Sequence, residues 1–196
     1  MKTLRLKIVG TRALMMHNAR LANPLDPYSI KLKEIMGKKK KTDEDLIAIM
    51  RVEARGGAYE TEDNKLGLPN MSVYAALFEA AKNFKLGKEL KKALRYDESV
   101  SPLKVDGKEV DVDKFLSNPN NIDYRAVGVK KSKIMRARPK ISGKWESVHE
   151  FELDESVMDS RTLNPVIEYG GKNIGLLELR PSLGTYKVEV LNEIKK

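Results

Sequence analysis

The stretch from Leu68 to Leu86, LPNMSVYAALFEAAKNFKL, most constrains what this chain can become. Tyr74, Leu77, Phe78, Ala81 and Phe84 recur at i, i+3, i+4, i+7 and i+10, which lays one apolar stripe along a helix. Pro69 and Asn70 suit its entrance, because proline cannot continue a preceding strand and the Asn side chain can accept from an unpaired N–H. A one-sided helix must cover something, and alternating segments on both sides of it supply the sheet. The stripe alone implies packing. Its neighbours decide what else the helix serves.

The chain opens with an alternating run. Leu4, Leu6 and Ile8 take one face and Thr3, Arg5 and Lys7 the other, ending at Gly10, which predicts a half-buried strand with a basic outer face. Residues 11–27 read as irregular, with turn signals at Asn23-Pro24 and Asp26-Pro27. A short helix over 28–36 leads to Lys38, Lys39, Lys40 and Lys41. Thr42 and Asp45 then form a relative of the capping box. Leu46, Ile49 and Met50 give that helix its apolar stripe, and Gly56-Gly57 are expected to stop it. A hairpin over 58–68 turns at Asp63-Asn64. Residues 22–66 are too long and too structured to be a loop, so they read as an inserted helix–hairpin lobe within a single domain, 1–196.

After a lysine-rich helix at 88–94, a polar stretch over 95–121 predicts a second, smaller excursion. Residues 124–141 and 145–153 are expected to pair as one hairpin, with Trp145, Ser147, His149, Phe151 and Leu153 on one face. A last helix over 160–169 is capped by Asp159 or Ser160, contains an awkward Pro165 and ends at Gly170-Gly171. The closing strand, Thr185–Leu191, turns Tyr186, Val188 and Val190 inward. Without the excursions the order is strand, helix, strand, strand, helix, strand. The expected fold is therefore α+β, a ferredoxin-like or RRM-like βαββαβ antiparallel sheet with an inserted thumb-like lobe.

Two segments carry a family resemblance. Leu68-Pro69-x-x-Ser72-Val73-x-x-Ala76-Leu77 resembles the proline–serine helix entry of the RAMP superfamily, the CRISPR RNA-binding proteins built on modified RNA-recognition folds. Gly175-Leu-Leu-Glu-Leu-Arg180-Pro-Ser-Leu-Gly184-Thr-Tyr186 resembles that superfamily's glycine-rich loop before its last strand. The insertion after the first strand is similar in place and length to the thumb of the backbone subunits. The loop has fewer glycines than many members carry, and the chain is short for a backbone subunit. It is also similar to uncharacterised phage or prophage proteins. The resemblance implies a cytoplasmic, RNA-coating protein that forms homo-oligomers or filaments along the strand.

Composition narrows the chemistry. Lys and Arg outnumber Asp and Glu by 37 to 28, giving a net charge of +9 that favours a polyanionic partner. There is no cysteine, which excludes thiolate metal sites and disulfides and fits a reducing cytoplasm. With two histidines, a histidine-rich metal centre is excluded too, and neither a metal nor a cofactor is expected. No apolar run is long enough to span a membrane.

The candidate nucleic-acid contacts begin with Lys130, Lys131, Lys133, Arg136, Arg138 and Lys140. The stretch 124–145 holds no acid, and same-face side chains on a strand match the spacing of phosphates. Trp145 offers a ring for a base. Arg180 in the glycine-punctuated loop is a phosphate ligand unless it pairs with Glu178. Arg20 and the run Lys38–Lys41 extend the surface onto the lobe. The expected function is sequence-nonspecific binding of single-stranded RNA or DNA. One alternative is a metal-independent endoribonuclease in which His17 removes a 2′-OH proton, as in guide-RNA-processing members of the superfamily. Another is a phage protein that binds a host protein.

Overall fold

The computed structural model describes residues 1–129 and 132–191. Strand β1 (Lys2–Gly10) is followed by a two-residue β2 (Leu14–Met15), then by helices α1 (Pro27–Met36) and α2 (Asp43–Gly57). Strand β3 (Gly67–Pro69) runs directly into α3 (Asn70–Asn83), and α4 (Gly87–Ala93) into β4 (Leu94–Arg95). A hairpin of β5 (Val100–Val105) and β6 (Lys108–Glu109) precedes α5 (Val112–Leu116). Strands β7 (Ile122–Val129), β8 (Ser132–Ile141) and β9 (Trp145–Leu153), helix α6 (Ser160–Tyr169) and strand β10 (Tyr186–Leu191) complete the order. The result is α+β with antiparallel sheets and six α-helices among the described residues, compatible with a ferredoxin-like class.

The main sheet runs β10-β1-β9-β5-β3, with β4 on β9 and β6 on β5. Leu4, Leu6 and Ile8 are buried, as their alternation requires, and so are all five alternate residues from Trp145 to Leu153. At β10 the inward set is shorter than expected, since Tyr186 is buried but Val190 is exposed.

Helix α3 lies over this core with a face rotated from the expected stripe. Val73, Ala76, Leu77, Ala80 and Ala81 are buried, Tyr74 and Phe78 flank them half-buried, and Phe84 is exposed past the helix end. The small residues let other backbone approach closely: a Cβ on Gly170 would meet Leu77 and Ala80 at 3.4 and 3.5 Å. Pro69, not Asn70, occupies the N-cap position, and no side chain caps the helix. Asn70 instead binds Asp97 and Ser99 through its amide nitrogen and receives Ser101 Oγ on its oxygen.

Helix α6 is capped by Asp159, which accepts from the Thr162 amide, and it keeps Pro165 in its interior. Gly170-Gly171 do not end the helical path; they open a π turn over Gly170–Ile174. Gly171 is needed for contact, because a Cβ there would lie 2.4 Å from the Tyr186 carbonyl oxygen.

Residues 124–141 depart most from expectation. They do not form one strand paired with 145–153 but fold on themselves as β7 and β8, and β8 joins β2 in a separate sheet of order β2-β8-β7. The reason is occupancy. Strand β9 already spends one edge on β1 and the other on β4 and β5. Helix α2 packs against β8 with its C-terminal half, where Val52, Glu53, Ala54, Gly56 and Gly57 are buried, while Leu46 is 48% exposed. Thr42 and Asp45 do form a capping box. Gly56 lies inside the helix, and a Cβ on it would come 2.6 Å from Leu21 and 2.9 Å from Tyr28. It is there for close packing against the neighbouring segments.

Candidate nucleic-acid interface

The outer part of the β7–β8 hairpin is open, with Tyr124, Arg125, Ala126, Ser132, Lys133 and Met135 exposed. Its register sorts the side chains. The pairs Tyr124↔Ala137, Ala126↔Met135 and Gly128↔Lys133 share one face, and Asp123↔Arg138, Arg125↔Arg136 and Val127↔Ile134 share the other. Lys133 therefore points away from Arg136 and Arg138. Lys130 and Lys131 lie outside the described residues.

The arginine face is neutralised by its own strand and from elsewhere in the fold. Arg125 is forked onto Asp123, with one bond at 2.6 Å. Arg136 Nη1 donates to Glu53 Oε1 at 2.7 Å, and the other Glu53 oxygen accepts the Ala137 amide at 2.9 Å. Arg138 is 8% exposed, with Nη2 3.6 Å from Glu178 Oε2 and Nη1 3.9 Å from Met15 Sδ. The stretch without acids in sequence meets acids in space, delivered by α2 and by the loop before β10. Lys140 is half-buried beside Met15.

The other face carries no acid. Tyr124 is 43% exposed and Met135 47%, with the small residues Ala126 and Gly128 between them and Lys133. A ring, a thioether and an ammonium on a flat strip offer stacking and one phosphate contact.

The remaining candidates separate into tied and free side chains. Trp145 is buried, donates Nε1–H to the Arg12 carbonyl at 2.8 Å and covers Gly10 closely, so it presents no ring to a base. Arg20 is held by Asp26 at 2.9 Å and Glu60 at 3.2 Å and lies over the Tyr28 ring; the hydrogen bond it donates to Asp26 raises its pKa. All four lysines of the run 38–41 are exposed, with Lys38 bound to Asp45 at 2.6 Å and Lys41 donating to the Lys38 carbonyl. Arg180 is exposed, and Glu178 has turned to Arg138 rather than to it.

His17 follows β2 at the junction of the two sheets. Its Nδ1 is buried without a partner, and burial lowers its pKa, opposed by Glu178 and assisted by Arg138 and Arg136. The Tyr59 hydroxyl donates to the His17 carbonyl at 3.4 Å, and burial together with Glu178 raises its pKa. A neutral imidazole with two guanidinium groups and two carboxylates in electrostatic reach can accept a proton and stabilise a developing anion.

Sequence reasoning missed Glu53, Glu178's true partner and Tyr124. Glu53 left a signal, because it continues the apolar spacing of Ile49 and Met50 along α2 and so sits where a helix turns inward. Among the described residues there is no group of three or more His, Asp or Glu that could hold a metal ion, and no helix is long and apolar enough to cross a membrane.

No protein-family model matches the chain, and no curated protein matches it significantly. Among solved structures it is similar to the Csm1-Csm4 cassette in complex with AMPPNP, at 15% identity and a TM-score of 0.25, over 100% of this chain and 72% of that one. A likeness that distant fixes neither fold nor function.

Proposed function

We propose that the chain binds single-stranded nucleic acid, RNA or DNA, without sequence specificity, as a RAMP-type protein on a βαββαβ frame. The order β10-β1-β9-β5, antiparallel throughout, supports that frame. On this reading residues 22–66 are a thumb-like lobe and 95–121 a second excursion, and copies polymerise head to tail along the strand. The observation that carries the reading is the acid-free face of the β7–β8 arm, with Tyr124, Met135 and Lys133 exposed on a chain of net charge +9. The test is anisotropy of labelled 30-mers of each nucleic acid with the wild type and Lys133→Glu. Salt-sensitive binding weakened by the substitution is expected. No binding at low salt by the wild type overturns the reading.

The cluster around His17 favours a second reading, metal-independent endoribonuclease activity, with His17 as base. Cleavage in EDTA that is lost in His17→Ala is its signature. An intact RNA after incubation with the wild type removes it.

A further inference from the structure

A groove of about 760 Å3 lies between β10 and the end of α6, and none of the residues proposed above lines it. Its accessible apolar part comes from Pro181 and Val188, over a floor of the buried Ile167 and Tyr186, and its cationic part from Arg12, Lys172 and Lys187. The three cations come from three separate places, the loop after β1, the π turn and β10, so only the folded chain brings them together. Arg12 spends one nitrogen on the Ser182 carbonyl at 3.2 Å. Lys172 and Lys187 make no ion pair among the described residues. Glu168 is the one acid of the lining, against those three cations.

Two further features make this more than a patch of surface lysines. Thr11 and Thr185 share a hydroxyl hydrogen bond of 2.8 Å at the groove, and Thr185 is buried there, so a second hydroxyl hydrogen remains for a ligand. Strand β10 pairs with β1 on one edge and with no described strand on the other, which leaves backbone donors and acceptors along the groove. The volume lies within the range of roughly 300–1,000 Å3 that holds a small organic ligand.

We infer that this groove binds one nucleotide unit, its base against Pro181 and Val188 above the buried Ile167 and Tyr186, and its phosphate among Arg12, Lys172 and Lys187. A bare phosphate would not use the apolar part, and an uncharged aromatic would not use the cations. The nucleotide is either free or the phosphorylated end of a bound strand, and the two sources share this chemistry. The inference does not depend on the arm.

Isothermal titration of the full chain tests it, with ADP, adenosine, inorganic phosphate, and one decamer carrying either a 5′-phosphate or a 5′-hydroxyl. ADP is expected to bind at least about tenfold more tightly than adenosine or phosphate, and the exposed-site double variant Lys172→Glu/Lys187→Glu to lose at least about tenfold in ADP affinity. A 5′-phosphate preference that disappears in the double variant assigns the groove to a strand end; ADP binding without that preference assigns it to a free nucleotide. Phosphate binding as tightly as ADP, ADP binding indifferent to the double variant, or neither ADP binding nor a 5′-phosphate preference overturns the inference. ADP binding by a protein that ignores both decamers sinks the function proposed for the arm and leaves the groove standing.

Discussion

Glu53 and Arg136, 83 positions apart in sequence, meet at 2.7 Å where α2 crosses β8, and the same carboxylate takes the buried Ala137 amide. The contact fixes the helix against the strand and removes Arg136 from the pool of free cations. Glu53→Ala leaves that amide unpaired and a guanidinium without its counter-charge. The expected cost is about 2–3 kcal/mol, read as a lower urea midpoint. Arg136→Ala should cost less, because Arg136 is the more exposed partner and its loss leaves Glu53 still bonded to the backbone.

The same geometry predicts which substitutions affect binding and how. Lys133→Ala should flatten the dependence of log affinity on log salt by about 0.7, one phosphate contact on a single strand. Tyr124→Ala should lower affinity by about 1–3 kcal/mol, the value of one stacked base, with the salt slope unchanged. Trp145, the single tryptophan, should keep its emission when oligonucleotide is added, whereas a Tyr124→Trp variant should be quenched. Quenching of Trp145 in the wild type would contradict its placement in the core.

The alternation of β1 and β9 was legible because burial on one face writes itself into every second residue. Their partners were not legible. Whether β8 pairs with β9 depends on which edges β9 has already filled, a property of β1 at the start of the chain and of β4 and β5. The surroundings of the basic strand were hidden for a related reason. Arg136 and Arg138 look free along the chain because their counter-charges, Glu53 and Glu178, arrive from a helix and a loop far away in sequence. Trp145 could be read either way, and Gly10 decides it, since the absent Cβ is the space the indole fills.

That space gives a direct test of core packing. A Cβ at Gly10 would lie 2.1 Å from Trp145 Cε2, and the indole is tied to the Arg12 carbonyl, so it cannot tilt away without losing that bond. Gly10→Ala should destabilise by about 1–3 kcal/mol or somewhat more, with a red shift in tryptophan emission as the ring is displaced toward water. Unchanged emission and an unchanged urea midpoint would mean that the two residues do not pack as described.

His149 makes stability depend on pH. It is fully buried on β9, its Nδ1–H donates to Asn70 Oδ1 at 2.7 Å, and its Nε2 has no partner. Protonating Nε2 would place a charge and an unpaired donor in the core, so burial lowers the pKa from 6.5 to about 4. Between those values the unfolded chain binds a proton that the native chain refuses. The stabilisation is complete above about pH 6.5 and is lost as pH falls toward 4, by about 3 kcal/mol in all. Urea midpoints of the wild type should therefore fall over that window before most carboxylates titrate. His17, whose pKa burial also lowers, acts in the same direction and leaves a smaller residual slope. His149→Gln should be the less stable protein at pH 7.5 and should lose much less on acidification. Parallel curves for the two proteins would show that the imidazole does not titrate as a buried base.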